Sequence, residues 1–406
     1  MKIAFAITSG LLLSVPALAA ETTIKPIVDL RLRQESVEQT GLAQDAEAIT
    51  WRARAGAEIS NGAFAFLAEA EGTVAIDERY NSGLNGKTAY PLVADPENLE
   101  LNRVQVQYKG FSNTVMTVGR QRINLDDQRF VGAVGWRDNE QTFDAARVEW
   151  TGPGQSKRGK LKLDASYAWS VRTIWGKDGV GARQQAIDGD NFLGNLSYPT
   201  AWGTLSTFAY LIDQDEAVVS GRQLSSQTYG VRLAGTRPLA AAKLNYALSY
   251  AGQSDFHNNP NHYSAEYWLA DTSVDVGALR LGAGYEVLGA DAGLPFTSFQ
   301  TPLATAHKFQ GWADKFLTTP PNGVRDLYLS LGWNRKQLGK LSNVSLNAVW
   351  HRFDSDRLSQ DYGDELNLIA TAKIGKFNLL AKHADYRADQ FATDTRKTWL
   401  QVEWSY

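Results

Sequence analysis

The most constraining feature of this chain is strict two-residue alternation in which the non-apolar side carries full charges. ITWRARAGAEI (Ile49–Ile59) sets Ile49, Trp51, Ala53, Ala55, Ala57 and Ile59 against Thr50, Arg52, Arg54 and Glu58. DLRLRQE (Asp29–Glu35) sets Leu30 and Leu32 against Asp29, Arg31 and Arg33. KLKLDASYAWSVR, LRLGAGYEV, DLYLSLGW and DELNLIATAKI repeat the pattern further along. A period of two puts each set on its own face of a β-strand. The stripes persist for about 9–11 residues, enough to cross a bilayer at a tilt, whereas soluble strands usually run about 5–6. Aromatics gather near stripe ends at Trp150, Tyr198, Tyr210, Tyr250, Trp333, Trp350 and Trp404, as interfacial girdles require. A soluble β-sandwich also alternates, but stripe length and aromatic placement favour a transmembrane antiparallel β-barrel.

The spacing predicts strands near 24–35, 48–59, 63–75, 99–109, 113–121, 142–151, 159–172, 191–198, 203–213, 226–235, 242–251, 262–271, 277–288, 324–333, 342–353, 364–374, 376–385 and 396–406. That is an all-β barrel of about 18 strands, with 16 as the alternative because the strands near 113, 203 and 262 are weakly patterned; both counts are even. Short turns fall at 60–62, 109–113, 199–203 and 374–376. Longer connections near 76–98, 122–141, 173–190 and 289–323 all fall on the other parity, outside the cell if both termini are periplasmic. A mean hydropathy of −0.32 argues against a helical membrane protein but not against a barrel, half of whose strand residues face water.

GRQRINLDDQRFVGAVGWRDNEQTFD (Gly119–Asp144) packs arginines and carboxylates among apolar residues. Residues 122–141 form the third outer loop, and a barrel this wide leaves an aqueous bore that such a loop can narrow. The expected arrangement is a network across the pore in which Arg120, Arg122, Arg129 and Arg137 meet Asp126, Asp127, Asp138, Glu140 and Glu149. Ile123, Phe130, Val131 and Trp136 would anchor the loop on the wall or on a second loop. Ion pairs confined to the loop and holding only its shape are the alternative. Arg31, Arg33, Arg52, Arg54, Glu58, Glu69 and Arg147 complete the expected channel lining.

RQRINLDDQRFVGAVGWRDNEQTFDA, FQTPLATAHKFQGWADKFLTTP (Phe299–Pro320) and the aromatic ending WLQVEWSY carry a resemblance. The ending is similar to the last strand of bacterial outer-membrane barrels. The two longer stretches resemble the alginate-export-type outer-membrane family over essentially the whole mature chain. The resemblance implies a monomeric barrel of about 18 strands with an arginine-bearing lumen, and its best-known member exports an anionic polysaccharide through an electropositive constriction. Arg31, Arg33, Arg52, Arg54, Arg120, Arg122 and Arg129 match that role. Glu58, Glu69, Glu71, Asp126 and Asp127 depart from it, which keeps general or sugar-uptake porins open beside an exporter with a periplasmic partner. Phe309, Ala313 and Phe316 share a helical face, which predicts a short amphipathic helix in the seventh outer loop.

MKIAFAITSGLLLSVPALA has the charge, apolar core and small-residue end of a secretory leader, so residues 1–19 are expected to be removed and 20–406 to form one outer-membrane domain. With no cysteine, thiolate metal sites and disulfides are excluded, and a net charge of −3 gives no reason to expect nucleic acid. An enzyme would need a base with an orienting partner at one rim. The five histidines show no such set, although His257 and His262 in HNNPNH could hold a metal; DGDN (188–191) and DQDE (213–216) could hold Ca²⁺ in outer loops. The expected protein is a channel without a cofactor, touching outer-membrane lipid and hydrophilic carbohydrate, anionic sugars included; a purely structural or adhesin barrel is the third class.

Overall fold

A computed structural model describes residues 21–153, 159–215 and 221–406. Eighteen strands follow one another: β1 (Thr23–Gln39), β2 (Ala46–Asn61), β3 (Phe64–Arg79), β4 (Asn98–Tyr108), β5 (Thr114–Gln121), β6 (Thr142–Thr151), β7 (Lys162–Arg172), β8 (Ala186–Thr200), β9 (Gly203–Ile212), β10 (Ser226–Leu239), β11 (Ala242–Asp255), β12 (Ser264–Val276), β13 (Leu279–Leu288), β14 (Val324–Leu338), β15 (Leu341–Asp354), β16 (Asp361–Ile374), β17 (Phe377–Ala388) and β18 (Thr395–Ser405). Each pairs antiparallel with its sequence neighbours, and β18 pairs with β1 from Asp29↔Ser405 to Gln39↔Thr395, which closes the cylinder and leaves no free edge. The 18-strand expectation holds; strands such as β8 begin earlier than their apolar stripes because they extend toward the long-loop rim. DGDN lies inside β8 rather than in a loop, and Glu216 and residues 1–19 fall outside the described residues.

The burial pattern is inverted relative to a soluble protein. Outward residues such as Leu32, Trp51, Phe66, Leu99, Leu329 and Leu400 are exposed, while Arg33, Glu35, Arg52, Glu69 and Glu71 are buried inside. Such an arrangement is stable when the outside solvent is hydrocarbon and the inside is wet. Tyr198, Tyr250 and Trp350 lie on the exposed face as expected of a girdle. Tyr210 does not: it points inward and packs on Phe208 and Phe130, because β9 places it on the parity of the buried Ser206 and Phe208.

Three long connections, L2 (80–97), L3 (122–141) and L7 (289–323), leave one rim and fold inward. L3 and L7 are stitched together by the bridge Val131↔Leu303, by Gly132 N–H to Leu303 O at 2.9 Å and by Thr305 N–H to Gln128 O at 3.1 Å. The predicted amphipathic helix in 299–320 is absent: only one 3₁₀ turn forms, Ala306–Lys308. Gln310, Gly311 and Asp314 adopt positive φ (46°, 77° and 62°), which no helix tolerates, and a Cβ at Gly311 would meet the Glu365 carboxylate at 2.3 Å. Contacts to the wall replace the helix's own hydrogen bonds.

Candidate functional site

The apolar residues of L3 anchor as the sequence suggested. Phe130 packs against Phe208, Tyr210, Tyr267 and Phe299, so it touches both the wall and L7. Ile123 and Val131 are fully buried in the same cluster. Trp136 stacks on His307 of L7 with ring centroids 4.6 Å apart, meets Trp399 of β18 edge-on, and carries Arg33 over one face at 4.2 Å. Lys382 of β17 lies 4.1 Å from the Trp136 ring and 3.9 Å from Trp312.

The charged residues of L3 are partnered differently from expectation. Within the proposed set, Arg122–Glu140 is the pair that forms inside the loop. The others reach away from it. Arg129 pairs with Glu286 of β13 at 2.7 Å; Arg137 meets Glu35 of β1, Asp95 of L2 and Asp314 of L7. Asp138 accepts from Thr50 and pairs with Arg31, Asp126 accepts from Asn195 and Ser206, and Asp127 pairs with Arg232 of β10 at 2.9 Å. L3 therefore crosses the bore from β1–β4 to β8–β13 and is spoked to both sides. The charges of L3 thus meet partners on the surrounding strands, L2 and L7 more than one another, because inward-facing strand residues present opposite charges to the loop.

Arg120 and Glu149 stay out of these spokes. Arg120 shares the parity of the exposed Met116 and Val118 and pairs with Asp144 of β6 at 2.8 Å. Glu149 pairs with Arg147 at 3.2 Å, and Arg147 also donates to Asp164 at 2.9 Å. Glu58 lies 4.0 Å from Lys25 near the short-turn rim.

Every arginine of the ladder is held by carboxylates or carbonyls, although Arg31 Nε, Arg33 Nη1 and the Nε and Nη1 of Arg52 donate no hydrogen bond among the described residues. Arg31 holds Glu403, Asp138 and the carbonyls of Gly135, Trp136 and Arg137; Arg33 holds Gln401, the Trp136 carbonyl and Asp95. Arg52 holds Asp29 and Glu403, and Arg54 holds Glu71 and Glu140. Their side chains retain 0–7% exposure, whereas Arg122 retains 28%. Arg103 of β4 and Arg232 were not singled out from the sequence; Arg103 shares Glu69 with Arg122. Arg103 stands at a bulge in β4 opposite Glu69 and Ala70 of β3, which interrupts its alternation, whereas Arg232 sits on the regular inward parity of β10, where the pattern could have found it.

His307, Asp314 and Lys382 form the centre of the L7 contact. His307 Nδ1 lies 2.6 Å from Asp314, and its Nε2 accepts from Lys382 at 2.7 Å, which sets the imidazole neutral with its proton on Nδ1. Burial holds His307 well below the ordinary imidazole value, with Lys382 adding to the shift and Asp314 opposing it. Burial pushes the Asp314 carboxyl up, but His307, Lys397 and Arg137 hold it well below the usual range. Asp95 is pushed up to about 6 by burial and by Asp138, against Arg137 and Arg33. Elsewhere His257 meets Asp213 and His262 meets Asp255; among the described residues no three His, Asp or Glu side chains converge as a metal set.

A closed 18-stranded cylinder with an apolar outside and polar loops in its bore defines a bacterial outer-membrane barrel of porin-like build. The alginate export family matches residues 28–403, and the chain belongs to that family. Membership places it among transport barrels rather than enzymes. Among solved structures, it is similar to Acinetobacter baumannii OccAB1 (14% identity, 94% of this chain and 96% of that one, TM-score 0.70). It is also similar to Pseudomonas aeruginosa OpdO (15%, 94% and 97%, 0.66) and to OpdK with vanillate from the same organism (13%, 94% and 98%, 0.67). No curated protein matches the chain.

Proposed function

We propose that residues 20–406, after loss of the leader, form a water-filled channel for hydrophilic solutes, with oligosaccharides and anionic sugars such as uronates as the class it admits. The observation that carries this reading is the inversion of burial, with charges inward and lipid-compatible side chains outward. L3 and L7 set the bore's width, and the selectivity lining comprises Glu58, Arg122, Asp126, Asp127, Arg147 and Glu149, with the buried Glu69 holding Arg103 and Arg122 in place. Arg31, Arg33, Arg54, Arg129 and Arg137 act through the loop contacts they make, and Arg52 ties β2 to β1 and β18 through Asp29 and Glu403. Arg120, on the outward parity, leaves the lining. The short-turn rim faces the periplasm, and the barrel works as a monomer.

Dedicated export of an anionic polysaccharide is the second reading, favoured by the family match. It requires free positive charge along the bore, and the ladder's guanidinium groups are each bound to carboxylates or carbonyls. Liposome swelling with neutral and uronate trisaccharides, beside reversal potentials in a KCl gradient, tests the proposal. Swelling with neither sugar class and no ion current would reject the channel. Strong anion preference with uptake of uronates alone would favour the exporter.

A further inference from the structure

One sector of the lumen contrasts with the ion-paired arginine side. On β14–β16, near the short-turn rim, the inward side chains Ser330, Asn334, Ser345, Asn347 and Thr371 line a recess of about 450 Å³ together with Tyr328 and the apolar Val349 and Ile369, against which a sugar's C–H face can rest. None of those five side chains makes a hydrogen bond within the protein among the described residues. Asn334, Ser345 and Thr371 stand in one register row across three adjacent strands, with Asn347 one inward position further from that rim. Strand spacing sets neighbours in the row about 4.8 Å apart, similar to the separation of hydroxyls on alternate carbons of a pyranose ring. Glycines make the space: Gly332 faces Asn347 across the ladder, and Gly284 lets the Tyr328 ring lie against bare backbone, where a Cβ would fall 2.1 Å from it. The Tyr328 hydroxyl is thereby fixed on Asp271 at 2.8 Å.

We propose that this recess is a binding subsite for a neutral sugar passing through the bore. Rotatable hydroxyls and amides offer both donors and acceptors, as uncharged sugar hydroxyls require. The recess itself carries no unpaired cation among the described residues, since Arg280 is taken by Asp275 at 2.6 Å and Asp271 faces Tyr328; Lys336 and Lys373, on the same inward parity, lie nearer the rim. Water fills the recess between passages and is displaced at little cost, since no protein group has to be released. The inference rests on the channel reading and adds the solute class and the residues that hold it.

The test is single-channel recording of the full chain in planar bilayers with maltotriose added from the short-turn side. The wild type is expected to show concentration-dependent blockades. A triple variant Asn334→Ala, Asn347→Ala, Thr371→Ala is expected to shorten residence about tenfold or more, with open-channel conductance within about twofold. Heat-modifiable gel migration confirms that the variant is a folded barrel; if it is not, Asn347→Ala and Thr371→Ala are each recorded alone, with shortened residence again expected. Wild-type blockade by a uronate trimer but not by maltotriose overturns the proposal, as does unchanged residence in the folded variants. Absence of any wild-type current rejects the channel reading itself, and the two failures are thus distinguished.

Discussion

The two sides of the bore use polar residues in opposite ways. Along β1–β4, Arg31, Arg52, Arg54, Glu69 and Glu71 are buried and each is bound to an opposite charge on the wall or in L3. Along β14–β16, Ser330, Asn347 and Thr371 face the lumen unclaimed. High charge density in the sequence therefore marks the place where loops are fastened, and the uncharged polar wall is the part left free to meet a solute. A buried charge separated from its partner is costly, so the first side is fixed; a hydroxyl facing water loses little, so the second remains available.

Removing the fastened element should have the largest effect. Deleting residues 124–139 takes out the segment that crosses the bore, and single-channel conductance is expected to rise roughly threefold or more, as an unobstructed wide barrel requires. Unchanged conductance would separate L3 from the constriction. Next, Arg54→Met leaves Glu71 and Glu140 without their shared guanidinium and is expected to cost about 3 kcal/mol, read as a shifted urea midpoint in detergent. Asn347→Ala in the same assay should stay within about 0.5 kcal/mol; equal losses would erase the contrast between the two sides.

Selectivity sharpens the comparison at smaller amplitude. Arg122→Gln should move the reversal potential toward cations more than Arg52→Gln, because Arg122 still touches solvent and Arg52 does not. The smallest effect concerns pH. His307 is held neutral in the docked loop, so its proton is gained more easily when L7 is released. Docking is therefore undiminished above the free imidazole value of about 6.5 and weakens as pH falls below it, by at most about 1.4 kcal/mol per pH unit. Asp314, whose carboxyl is held down, acts in the same direction at lower pH, where docking is lost as its carboxylate is neutralised. Limited proteolysis of L7 should accelerate below pH 6.5, and His307→Gln should flatten that profile down to about pH 5.

Much of the architecture was legible because period-two alternation is a local property. The strands, the parity of long and short connections and the anchoring roles of Phe130, Val131 and Trp136 all came from patterns within a few residues. The partners of the charges were not legible. Arg129 finds Glu286 and Arg137 finds Asp314, each more than 150 positions away, and any of several carboxylates of the same type could have served. The helix expected in 299–320 failed for a related reason: its periodicity is real, but Glu365 takes the backbone N–H groups of Trp312 and Ala313 that a helix would have used.

The sequence by itself determined a lipid-spanning cylinder, since alternating side chains can satisfy hydrocarbon and water only on opposite faces of paired strands. Only the tertiary structure decided which charges are spent on one another and which polar groups stay open, because closure of β18 on β1 brings distant walls to the same loop, and pairing there depends on distances that no local pattern encodes.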